Sequence, residues 1–165
     1  MRGAGTGSEP WRTIMSCSLA VGLLGAAPRA RPALEDRVPD LRAARQGARE
    51  SLGRPACQAV LADFKDRSGR RLDEVLSATG RTAQEQLDLM VFESGFGRHV
   101  CARPVMASTH IHSSVVSICL RPFELLPPVQ QQAVLIHEML HSLGLGENPP
   151  ESVAITAQVM TRCEH

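Results

Sequence analysis

The segment from Pro128 to Leu143 constrains this chain more than any other. "PVQQQAVLIHEMLHSL" is apolar nearly all round, through Val129, Ala133, Val134, Leu135, Ile136, Met139, Leu140 and Leu143. It opens on proline, which suits the first turn of a helix. It stops at Gly144, a residue type that readily takes the left-handed conformation ending a helix. A helix apolar on every side has to be buried, so the rest of the chain must wrap around it. Yet its second half carries His137, Glu138, His141 and Ser142. Buried ionisable groups are costly unless something satisfies them, and a metal ion does so.

The spacing supports that reading. His137 and His141 stand at i and i+4, so both rings lean over one face of the helix and can reach a single ion. Glu138 is rotated by roughly 100° from His137. It is off the ligand face but beside it, where a general base for an activated water belongs. Gly144 and Gly146 let the backbone turn sharply, and Glu147 follows six residues after His141. Two neutral imidazoles and one carboxylate on one Zn2+ ion leave a fourth position open to water, as in catalytic rather than structural zinc sites. Glu151 and Glu164 are the other candidates for third ligand. The competing reading of the two histidines is a core pair hydrogen-bonded to backbone.

"HEMLHSLGLGE", His137 to Glu147, resembles the zincin metallopeptidases, and within them the metzincin arrangement of HExxHxxGxx followed by a third ligand. "HEMLHSLGLGENPPESVAIT" also resembles small secreted bacterial zinc-protease-like proteins. The resemblance runs from Val134 to Cys163. It implies that His137, His141 and Glu147 bind zinc and that Glu138 is the base. It also implies that an upstream edge strand holds an extended peptide or protein substrate. The third ligand in that clan is usually His; here it is Glu147. Met160, the only downstream methionine, falls in the last predicted helix instead of a turn beneath the metal, and the chain has no Tyr to stabilise an oxyanion. His110, His112, Arg121 and Arg162 are left as candidates for that role. The resulting expectation is a small exported metallopeptidase. The alternatives are a non-catalytic, zinc-stabilised binding module with the same fold and a hydrolase of a non-peptide amide.

The remaining sequence frames this segment. Arg2 and Arg12 precede an apolar stretch, Thr13 to Ala27, that closes in small residues, so residues 1–27 read as a secretory signal. Residues 28–54 are rich in Arg and Pro and weakly apolar. They read as a linker or pro-segment, partly disordered, with a frayed helix over 41–52. Residues 55–165 form the expected domain, zincin-like, α+β and mostly helical. In it a short β-hairpin, from His99–Thr109 and Ser114–Leu120, packs on the buried active-site helix. Pro104 would put the first of these strands at a sheet edge. Thr82 and Glu85 have capping-box spacing. Asn148 is the expected N-cap of a final helix.

Cys17 lies in the signal, leaving Cys57, Cys101, Cys119 and Cys163. An even number in an exported chain points to disulfides. Cys101 with Cys119, across the hairpin, and Cys57 with Cys163 are the favoured pairs among three possible pairings. With 18 basic and 17 acidic residues the formal charge is +1. Nothing in that balance points to a nucleic-acid partner or a basic membrane-binding face, and no stable membrane insertion is expected once the signal is gone. Together these features place the protein outside the cytoplasm, secreted or periplasmic.

Overall fold

The computed structural model describes residues 33–102 and 105–164. The expected signal and its cysteine, Pro104 and His165 lie outside the described residues. The fold is α+β and mostly helical, with one three-stranded sheet. In chain order the elements begin with α1 (Leu34–Arg37), α2 (Pro39–Leu52), α3 (Pro55–Gln58), α4 (Val60–Asp63), α5 (Leu72–Ala78) and α6 (Ala83–Asp88). Then come β1 (Val91–Ser94), a 3-10 turn (His99–Ala102), β2 (Ala107–Thr109) and β3 (Val115–Ile118). The last helices are α7 (Leu120–Glu124), α8 (Pro128–Ser142) and α9 (Ser152–Cys163).

Helix α8 is the axis of the molecule, as its sequence requires. Leu135, Ile136, Met139 and Leu140 are fully buried, and α2, α6, α9 and β2 pack around them. The closest neighbour corrects the sequence reading. Residues 39–52 are not a linker with a frayed helix but the core helix α2, lying along α8. Arg42 and Arg49 occupy its outer face, and half-buried Arg45 pairs with Glu35 and the Asp88 carbonyl. Leu41, Ala44, Ala48 and Leu52 form a buried stripe at helical spacing. The approach is tight, since a Cβ at Gly47 would run into the amide of Gln132.

The sheet has the order β1-β3-β2. β2 and β3 are antiparallel, with Ser108 opposite Ser117, so the expected hairpin exists in shortened form. Residues 99–102 contribute a 3-10 turn instead of a strand. β1 was not expected. It runs parallel to β3 and pairs Phe92 with Val116, burying both. The helix preceding it, α6, ends at Asp88. Its capping box is as predicted, with the Glu85 amide donating to Thr82 Oγ1 at 3.2 Å and the Thr82 amide donating to Glu85 Oε2 at 2.7 Å. α9 starts at Ser152 with Glu151 as its cap residue, not at Asn148. Proline disfavours helical backbone in the residue before it, so consecutive Pro149 and Pro150 delay the helix.

Both favoured disulfides are present, Cys57–Cys163 and Cys101–Cys119. The first ties α3 to the end of α9, and the second ties the 3-10 turn to the end of β3. Disulfides persist in oxidising compartments. No helix among the described residues is long and apolar enough to cross a membrane.

Candidate metal centre

The last two turns of α8 carry His137, Glu138 and His141, all at least 94 % buried. The helix then closes in a Schellman motif. The Gly144 amide donates to the His141 carbonyl at 3.0 Å, and the Leu145 amide donates to the Leu140 carbonyl at 3.2 Å. Gly144 makes the reversal possible with φ +109°. The reversal also admits no side chain, since a Cβ there would meet the His112 ring at 2.7 Å and Asp66 Cβ at 3.1 Å. Leu145 is held from the other side by a bridge to Asp66. The returning chain delivers Glu147 back over the histidines.

The three donors converge. Glu147 Oε1 lies 3.5 Å from His137 Nε2 and 3.3 Å from His141 Nε2, and the two Nε2 atoms are 2.9 Å apart. Around a tetrahedral ion with bonds of about 2.0–2.1 Å, donor atoms lie about 3.3 Å apart. The two edges to Glu147 match, and the His–His edge has to open by a few tenths of an ångström. His137, His141 and Glu147 are the group among the described residues whose ligand atoms could share one metal ion. Glu151 and Glu164 do not join it.

The rings are already oriented for this. His141 Nδ1 is 2.8 Å from the Leu145 carbonyl. A carbonyl only accepts, so that nitrogen carries the proton and Nε2 presents a lone pair to the cluster. His137 Nδ1 is 2.8 Å from Thr156 Oγ1 on α9. Burial pushes His137 down to about 4, so its ring is neutral at physiological pH. These observations fit a bound cation, because two buried imidazole Nε2 atoms and a carboxylate oxygen converge on one point.

Glu138 stands beside the cluster. Burial pushes its carboxyl up to about 7, against the opposing charge of His141. Its Oε2 is buried without a hydrogen-bond partner. Thr109 of β2 faces it, and hydrogen bonding from the Thr109 hydroxyl and backbone opposes the shift.

His137, Glu138, His141 and Glu147 all line a cleft of about 1230 Å³. β2 and the turn after it form one wall, with Met106, Thr109 and Ile111. Val134 of α8 and Val153, Thr156 and Met160 of α9 form the other. Met160 is therefore on a helix, as its sequence position predicts, and lines the cleft instead of forming a turn under the metal.

The candidates for oxyanion stabiliser separate clearly. Arg162 is paired with Asp63 at 2.8 Å, and Arg121 does not line the cleft. His112 is used structurally, its amide donating to the His141 carbonyl at 3.1 Å. His110 and His99 line the cleft, as does exposed Arg67, which sequence reasoning did not single out. Thr109, Leu145 and Thr156 were also missed. Nothing in the local sequence marks them, because each meets the site through tertiary contact. Comparison with protein-family models, curated proteins and solved structures finds no match to this chain.

Proposed function

We propose that this protein is an exported zinc-dependent metallopeptidase in which His137, His141 and Glu147 hold the ion and Glu138 is the general base. The observation that carries this reading is the position of the three-donor cluster. It lines an open cleft, next to a buried carboxylate whose Oε2 has no partner. Imidazole and carboxylate donors in a closely spaced set of three suit zinc with one position left open. When bound, zinc would polarise a carbonyl and lower the pKa of a water to about 7. Glu138 Oε2 would take the proton from the attacking water and return it to the leaving amine. β2 has an open edge along the cleft among the described residues. An extended peptide would add to it by backbone hydrogen bonds. The two disulfides agree with an exported protein.

The test is zinc stoichiometry together with cleavage of a broad peptide library. We expect one zinc per chain, and hydrolysis that stops on chelation. Glu138→Gln should retain the metal and lose about 10²-fold or more in rate. Zinc retained with no cleavage of any peptide would leave the non-catalytic binding module instead.

A further inference from the structure

The C-terminal helix does more than wall the cleft. α9 buries Ile155, Val159 and Cys163, spaced i, i+4, i+8, against the core. It is fixed at its far end by the disulfide to Cys57 and by Arg162 and Gln158, which both donate to Asp63 at 2.8 and 2.6 Å. Arg54 also donates to the carbonyl of Cys163. These anchors hold in place one half-buried hydroxyl, Thr156 Oγ1, at 2.8 Å from His137 Nδ1.

We propose that Thr156 is a positioning residue of the metal centre, holding the ring plane of His137 with a hydroxyl that can pair with either neutral tautomer. The inference rests on the metal-centre reading above. His141 has a carbonyl behind it, which can only accept, so its Nδ1 always carries the proton. The hydrogen bond between the two Nε2 atoms then requires His137 to donate from Nε2 in the metal-free protein. Its Nδ1 must accept, and the Thr156 hydroxyl donates to it. With a cation on His137 Nε2 the proton moves to Nδ1, and the same hydroxyl accepts. A hydroxyl serves both states; a carbonyl or an amide serves one. Partners behind ligating histidines typically contribute 10–100-fold in metal affinity.

The experiment is competition titration of zinc against a chromophoric chelator, on the full oxidised chain. Thr156→Val keeps the shape and removes the hydroxyl, and should weaken zinc binding about 10–100-fold. Thr156→Ser should restore affinity to within a few-fold of wild type. Thr161→Val makes the same change on the same helix, where the hydroxyl donates only to the Ala157 carbonyl, and should leave affinity unchanged. Equal affinity of Thr156→Val and wild type would overturn the inference while leaving the metal centre intact. An equal loss in Thr161→Val would overturn it too, because the cause would then be a weakened helix. A wild type that binds no zinc would overturn both readings.

Discussion

Gly144 offers the sharpest check on the geometry that brings Glu147 home. Its φ of +109° is a conformation that L side chains rarely adopt, and departures of this kind cost about 1–2 kcal/mol. Gly144→Ala also places a methyl 2.7 Å from the His112 ring and 3.1 Å from Asp66 Cβ. Neither neighbour yields easily. Asp66 is bridged to Leu145, and the backbone of His112 is bonded to His141. Overpacking of this kind adds about 1–3 kcal/mol. The lost freedom of the unfolded chain returns about 0.4–1 kcal/mol, so the net destabilisation is about 1–4.5 kcal/mol, centred on about 3. Gly69→Ala is the matched control. That residue has φ +86°, with nothing within 4 Å of its would-be Cβ, so strain acts alone and the net cost is about 1 kcal/mol. Urea unfolding of both variants, with chelator present, measures the difference. If Gly144→Ala falls no further than Gly69→Ala, the close packing of the reversal against His112 and Asp66 is wrong.

Leu41→Ala in α2 removes a fully buried side chain and should cost about 2–5 kcal/mol in urea unfolding; a change near zero would return residues 39–52 to the status of a linker. Asp66 has its carboxyl held below the usual range, chiefly by the Ser68 hydroxyl and also by Arg70 and backbone amides. A depressed folded pKa stabilises above the unfolded value of about 3.9 and loses that contribution as pH falls through and below it. Thermal melts between pH 7 and 3 should therefore show a shallower acid decline in Asp66→Asn than in wild type, and parallel declines would count against the carboxylate. Zinc at about 100 times its dissociation constant should add about 2.7 kcal/mol of stability, read as a rise in Tm that chelator reverses. His141→Ala should abolish that rise.

Much of the site was legible in the sequence because it sits on one helix and the turn after it. The i, i+4 separation of the histidines fixes their shared face whatever surrounds them. Gly144, read as the helix terminator, is the residue where the Schellman closure occurs. The expected disulfides also formed, since each joins elements that the folding of the chain brings together. The missed elements had weaker local signals. β1 is four residues long and pairs in parallel with a strand that starts twenty-one residues after it ends, so no hairpin turn announces it. α2 was obscured because half of its buried stripe is alanine, which carries little hydropathy but permits close helix packing.

The sequence by itself determined that α8 must be buried, that two imidazoles share its inner face, and that a glycine ends it. Those properties follow from side-chain chemistry repeating along a helix, and they need no distant partner. Only the tertiary structure decided which carboxylate completes the cluster, which groups stand behind each histidine, and that the final helix lines the cleft. These depend on segments up to about a hundred residues apart meeting within a few ångströms, as Cys57 and Cys163 do. Such meetings are set by how the whole core packs, and no local pattern records them.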